Sequence, residues 1–296
     1  MKLRQIEVFY AVYSSGSMTG AAKMLNVSQP SISKVLAHAE QQLGFLLFER
    51  SKGKLISTPE GHTLFKHVAS VYQDVDRLRH LARNLRTAES GRIRIASTPA
   101  LGVQLLPAAI ATYRKQNPGI VFEIETLHLE EIYNALTESR VDIGLAFDPL
   151  GFPGVEQRQL GSGEFVVIAP AATTFNDASS VDIEELANHP FIALNSRGPL
   201  GRLLSTYLAT SDAELNVVAW TETYHIAKAL VAEGAGIAIV DEITARSSTG
   251  GATKTFSLRP TLGFTVAALH RSDAPLSITA NNFVSQLQTS ISEFLN

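Results

Sequence analysis

Two sets of side chains in this sequence have the types and spacing for molecular recognition. Ser28, Gln29, Pro30, Ser33 and Lys34 fall in one short window. On a helix they offer hydroxyl, amide and ammonium groups to one side, which is what base edges and phosphates in a major groove require. Arg50, Lys52 and Lys54 then alternate around Gly53, a cationic loop suited to phosphate. The second set is uncharged apart from one arginine: Ser97, Thr98, Thr126, His128, Asn195, Ser196, Arg197, Thr223 and Tyr224. Each stands just after a predicted strand or just before a predicted helix. Their hydroxyls, amides and helix-start N–H groups would hold a carboxylate or a small zwitterion. Each is equally explained as a helix cap, and a lone loop arginine such as Arg197 is ordinarily a surface ion-pair partner.

Bond-making chemistry has no such set. The chain contains no G-x-S-x-G, H-E-x-x-H or P-loop pattern. Gly234-Ala235-Gly236 lacks a third glycine and precedes a strand, so it reads as a helix cap and not as a dinucleotide site. The eight histidines show no metal-ligand spacing, and the chain has no cysteine. The sequence therefore predicts a protein that is no enzyme and uses no cofactor or metal.

The net charge of −3 hides an asymmetry. Residues 1–90 hold 12 Lys+Arg against 7 Asp+Glu, a net +5, and the rest of the chain is acidic. A basic end joined to an acidic body suits a nucleic-acid-binding domain followed by one that binds something else. No apolar run approaches the roughly 18 residues of a membrane span, and the start has no signal-peptide pattern. With no cysteine to oxidise, a reducing cytoplasm is the expected location.

The first set needs elements to position it. Residues 3–14 read as a helix with Leu3, Ile6 and Phe9 inward. Ser17 caps a small-residue helix through Leu25, and Asn26-Val27 breaks the pattern. Ser28 caps a second helix with Pro30 in its first turn, where the ring is tolerated. Ile32, Val35, Leu36, Ala39 and Leu43 recur at helical spacing and form its buried face. Two short helices of this kind also occur in structural bundles. The basic segment that follows, anchored by Phe45, Leu46, Leu47 and Phe48, favours a winged helix-turn-helix over residues 1–58. From Thr58 a long helix carries Leu64, Val68, Val71, Val75, Leu78, Ala82 and Leu85 at alternating spacings of four and three. This is a heptad seam. A lone helix packed on its own domain would also show it, but the narrow stripe flanked by Arg77, Arg79, Arg83 and Arg86 favours pairing of two chains, with residues 59–90 as linker and dimerisation helix ending at a hinge.

Beyond the hinge, strands and helices alternate. Strands are expected at 92–97, 121–127, 142–147, 164–170, 190–195, 217–223, 236–240 and 263–270, with helices near 102–116, 129–138 and 276–294. The pattern predicts a largely parallel α/β sheet. The chain is thus a multidomain protein: an all-α winged helix-turn-helix and linker helix, then an α/β domain at 91–296. That domain is expected as lobe I at about 91–163 and 265–296 and lobe II at about 164–264, with Gly161-Ser162-Gly163 near a crossing.

The opening MKLRQIEVFYAV, the block AAKMLNVSQPSIS, the run LGFLLFER and the TPEG after it resemble the N-terminal domain of LysR-type transcriptional regulators. GRIRIASTPALGVQLLP and LVAEGAGIAIV are similar to blocks of that family's effector domain. The fainter likeness is to the regulators of lysine biosynthesis and opine catabolism. The resemblance implies a periplasmic-binding-protein type of two-lobed effector domain and double-stranded DNA as a partner. It also implies a homodimer or homotetramer, a small-molecule effector that is anionic or amino-acid-like, and contact with RNA polymerase. Lys34 stands where many members carry arginine, and Val240-Asp241 where a proline often follows. An exported solute-binding protein is the competing reading; the helix-turn-helix and the missing export pattern count against it.

Overall fold

The computed structural model describes residues 1–51, 54–86, 90–195, 198–211, 213–247 and 252–295. The chain divides into two compact units, Met1–Ala82 and Arg83–Asn296.

The first unit is built from α1 (Leu3–Ser15), α2 (Met18–Met24), α3 (Gln29–Leu43), β1 (Phe48–Ser51), β2 (Lys54–Ser57) and α4 (Pro59–Arg86), the last running past the unit's end. Its core joins Val8, Phe9 and Val12 of α1 to Ala21 and Ala22 of α2, Ile32 and Leu36 of α3, and Leu47, Phe48 and Val68. The small alanines of α2 let three helices meet closely. The domain is not strictly all-α, because the wing is an antiparallel β1–β2 hairpin with Phe48 opposite Ser57 and Ser51 opposite Lys54.

Three apolar expectations change here. Leu3 is exposed at the ragged start of α1, and Phe45 and Leu46 are exposed where the chain swings out past Gly44. Only Leu47 and Phe48 return to the core. The seam of α4 also divides: Val68 is 4% exposed inside the unit's own core, and Leu64 packs against that core. Phe65 stacks on Tyr13 and Tyr10 of α1, with ring centroids 3.6 and 5.7 Å apart. The first turns of α4 thus finish the domain core, so Leu64 and Val68 are not free for a partner helix. Val71 and Leu78 remain exposed and Val75 is half-buried. The side chain of Leu85 lies outside the described residues, as does most of the expected hinge, residues 87–89.

The second unit begins with β3 (Ser90–Ser97), α5 (Pro99–Val103), α6 (Leu105–Gln116), β4 (Gly119–Thr126), α7 (Leu129–Thr137) and β5 (Ile143–Phe147). It continues through the long β6 (Val155–Pro170), β7 (Ser180–Asp182), β8 (Pro190–Leu194), α8 (Gly198–Leu208), β9 (Asn216–Thr221), α9 (Tyr224–Ala232), β10 (Ala238–Asp241) and α10 (Glu242–Ala245). It closes with β11 (Thr253–Arg259), β12 (Gly263–Arg271) and α11 (Ile278–Leu295). Strands β4, β3 and β5 are parallel, as are β8 and β9. Elsewhere the expected largely parallel sheet is mixed: β11 runs parallel to β7, but β12 runs antiparallel to β5 and β6, and β10 and β11 run antiparallel to β6.

Strand β6 makes two lobes of one sheet. Its first part pairs with β12, and from Phe165 onward it pairs with β10 and β11. Gly163 sits at that change of partner. A Cβ there would lie 2.6 Å from the Glu242 carboxylate and 2.8 Å from the Phe264 ring, so only glycine lets the lobes meet so closely. Strands β7 and β11 had too few apolar residues to be read; in β11 only Phe256 and Leu258 face the core. The helix expected at 102–116 is split at Gln104 into α5 and α6.

Candidate functional site

In the first unit, the helix-turn-helix is set by local chemistry. Ser17 accepts a hydrogen bond from the Gly20 amide at 3.0 Å and starts α2. Asn26, at φ +52°, turns the chain toward α3, a conformation its short polar side chain tolerates. Ser28 is the N-cap of α3 through its carbonyl, which accepts from Ser31 and Ile32 at 3.1 and 3.3 Å, and its side chain makes no capping bond. Ser28, Gln29, Pro30, Ser33 and Lys34 are all exposed, while Ile32, Leu36 and Ala39 are buried on the opposite face. Buried Gln5 donates to Gln42 at 2.8 Å and lies 3.0 Å from the His38 ring, a polar tie between α1 and α3 that the sequence pattern did not reveal. Arg50 is exposed in β1 opposite Leu55. Lys54 opens β2, and Lys52 lies outside the described residues.

In the second unit, the structure gathers part of the other set. Ser97 and Thr126 are register partners at the ends of parallel β3 and β4. Both hydroxyls lie beside Gly102, in the last turn of α5: a Cβ there would lie 3.7 Å from Ser97 Oγ and 4.0 Å from Thr126 Oγ1. Thr98 is the N-cap of α5, its N–H donating to Leu145 at 3.1 Å, and its hydroxyl is buried with no hydrogen-bond partner among the described residues. His128 is the exposed N-cap of α7, its N–H held by Glu131 at 2.9 Å, and capping accounts for it. Asn195 directly follows β8, donating its N–H to Thr221 O at 3.0 Å. Thr223 caps α9 by accepting from Ile226 at 3.3 Å. Ser196 and Arg197 lie outside the described residues.

Tyr224 joins a row of aromatic rings whose other members the sequence did not single out. Phe147, at the end of β5, meets Phe264 at 5.2 Å; Phe264 meets Phe165 at 5.6 Å; Phe165 meets Tyr224 at 6.3 Å. The row passes from lobe to lobe across the β6 crossing. Burial holds the Tyr224 phenol well above its ordinary range, with Asp241 adding to it, and its hydroxyl has no partner among the described residues. Burial also pushes the neighbouring His225 down, with Lys228 adding. The arrangement offers hydroxyl and amide donors at strand ends beside an apolar wall: a place to bind a small polar molecule, with no nucleophile–base pair among these residues.

A winged helix-turn-helix followed by a two-lobed α/β domain defines a DNA-binding transcription regulator with a ligand-type domain. Residues 3–62 match the family model for bacterial regulatory helix-turn-helix proteins of the lysR family, and residues 86–292 match the LysR substrate binding domain. The chain belongs to the LysR family of transcriptional regulators. It is 41% identical over 291 residues to the HTH-type transcriptional regulator DgcR of Pseudoalteromonas, covering 98% of this chain and 100% of that one. It is 29% identical over 252 residues to the octopine catabolism/uptake operon regulatory protein OccR of Rhizobium meliloti, covering 83% and 81%. Its fold is similar to that of full-length CbnR in complex with target DNA, with a TM-score of 0.70 at 19% identity, covering 98% and 100%.

Proposed function

We propose that this regulator binds an interrupted inverted repeat as a dimer or a pair of dimers, and that a small anionic or amino-acid-like metabolite in the cleft between its lobes adjusts that binding. Residues 1–58 read DNA, 59–90 link and pair the chains, and 91–296 receive the effector. The protein is no enzyme, works in the cytoplasm and meets RNA polymerase at its promoters. The observation that supports the effector reading best is the Ser97–Thr98–Thr126 hydroxyl cluster at one end of an aromatic row that spans both lobes. A carboxylate there gains charge-assisted hydrogen bonds from hydroxyls, above all from that of Thr98, which has no partner among the described residues. That the relative OccR is named for octopine, an amino-acid derivative, accords with an amino-acid-like ligand.

Regulation needs different effector affinities in two arrangements of the chain, because binding both equally shifts nothing. Calorimetry on wild type and Thr98→Val, with and without operator DNA, tests this with a panel of amino acids, opines and organic acids. Thr98→Val is expected to weaken effector binding and to spare DNA binding in the effector-free state. Equal effector affinity in both proteins would remove Thr98 from the pocket. Equal affinity with and without DNA would remove the coupling.

A further inference from the structure

The root of the wing is gripped along both of its backbone edges. On the amide edge, one oxygen of the Glu40 carboxylate, three residues before the end of α3, accepts from Leu47 N–H at 2.8 Å and from Phe48 N–H at 3.2 Å. On the carbonyl edge, buried Thr58 donates its hydroxyl to Leu46 O at 2.7 Å and its N–H to Leu47 O at 3.0 Å. The same hydroxyl accepts from Gly61 N–H at 3.0 Å. Gly61 presses so close that a Cβ would lie 2.4 Å from Leu47 O.

These bonds differ in what they join. Thr58 and Gly61 hold the wing root to the head of α4. Glu40 holds it to the recognition helix. Leu47 and Phe48 also pack into the core, but apolar packing is non-directional and does not fix how the hairpin is aimed. Two charge-assisted hydrogen bonds onto consecutive amides do fix it, since such bonds are directional and stronger than neutral ones. Arg50 lies two residues beyond Phe48 in β1, and Lys54 stands across the hairpin.

We propose that Glu40 is the positioning residue of the DNA interface. It sets the wing at a fixed distance from the recognition helix, so that wing cations reach phosphate while the start of α3 sits in the groove. Glu40 itself touches no DNA. This inference rests on the wing's part in DNA contact, proposed above, and the test separates the two.

Glu40→Ala, Glu40→Gln and Arg50→Ala are made in the intact chain. Each is titrated across a salt series onto a duplex selected by the wild-type chain from a random-sequence pool, with folding followed by circular dichroism. For Glu40→Ala the expected result is retained helix content, affinity weakened about tenfold, and a salt slope smaller in magnitude by about 1 to 2, one phosphate contact being worth about 0.9. Glu40→Gln keeps an acceptor oxygen and is expected to recover most of both, which a loss of charge in the DNA field alone would not allow. Arg50→Ala is expected to lower the slope as well. A wild-type slope in folded Glu40→Ala, beside a lowered slope in Arg50→Ala, overturns the positioning role and leaves the wing reading standing. A wild-type slope in Arg50→Ala overturns the wing reading and this inference with it. If Glu40→Ala does not fold, Glu40→Gln carries the test: a slope between those of wild type and Arg50→Ala supports the proposal, and any other overturns it.

Discussion

Asp241 and Lys228 close opposite ends of one short helix, α10. Asp241, fully buried, accepts from Thr244 N–H at 2.8 Å and from the Thr244 hydroxyl at 2.7 Å. The Lys228 ammonium, on α9 and 2% exposed, donates to Thr244 O at 3.0 Å and Ala245 O at 2.6 Å, and also reaches Ser247. The anion thus meets an N–H group at the helix start and the cation meets carbonyls at its end, the order that the peptide dipoles favour. In this chain a buried carboxylate therefore starts the helix that follows β10.

Lys228→Met keeps the length and apolar stem of the side chain and removes its donors. At the end of α10, Thr244 O keeps the Ser247 N–H and hydroxyl, while buried Ala245 O loses the ammonium, at a cost of about 2 kcal/mol. The single tryptophan, Trp220, lies in β9 of the same unit, so its fluorescence follows this unfolding. A urea midpoint equal to the wild type's would show that these bonds contribute nothing.

Asp241 makes stability depend on pH in an unusual direction. Burial raises its carboxyl from an ordinary 3.8 to about 6 in the folded chain. Between those values the native protein keeps a proton that the unfolded chain has released. Stability from this group is therefore highest below the lower value and falls as pH rises through the window, by about 3 kcal/mol in all. Asp241→Asn removes the dependence. The stability difference between variant and wild type, measured by urea unfolding at pH 4 and pH 7, is expected to move toward the variant by about 2.4 kcal/mol, since at pH 4 the unfolded carboxyl has already released most of its proton. A difference that stays constant between the two pH values would refute the buried, elevated carboxyl.

Gln29 and Lys54 are assigned different work at the DNA. The exposed Gln29 amide at the start of α3 can bond two edges of an adenine, worth roughly 1–3 kcal/mol of discrimination. Gln29→Ala should flatten sequence preference and leave the salt slope nearly unchanged. Lys54→Ala should weaken binding to all sequences and reduce the slope's magnitude by about 0.9. Identical losses for both variants on specific and random duplexes would cancel the division of roles.

Val71 and Leu78 are 42% and 66% exposed on α4 and stand seven residues apart, at one heptad position. If a second chain covers them, Val71→Lys or Leu78→Asp buries an unpaired charge and costs several kcal/mol. Sedimentation should then show smaller particles, with specific DNA binding lost. An unchanged oligomer with normal operator binding would move the dimer contact away from this helix.

Residues near one another in the chain carried most of what could be read from the sequence. The cap at Ser17, the break at Asn26, Pro30 in a first turn and the three-and-four spacing of Ile32 and Leu36 are local constraints, and they define the helix-turn-helix without tertiary help. The strand–helix alternation after residue 90 is equally local. What the sequence left open depends on contacts distant in the chain. Val68 continues a perfect heptad, yet it is buried because α1 lies over it, and no periodicity distinguishes a partner helix from the chain's own. Lys228 sits in a run that reads as an ordinary amphipathic helix. Only the return of the chain through α10 brings the carbonyls that make a buried ammonium tolerable. Glu40 reads as a surface acid on α3 until the wing root turns its amides toward it. The row of Phe147, Phe264, Phe165 and Tyr224 spans residues 147 to 264, and the β6 crossing at Gly163 decides that they meet. Local pattern fixes which element forms; which charges and rings share a neighbourhood is decided by long-range packing, because burial depends on what covers a residue.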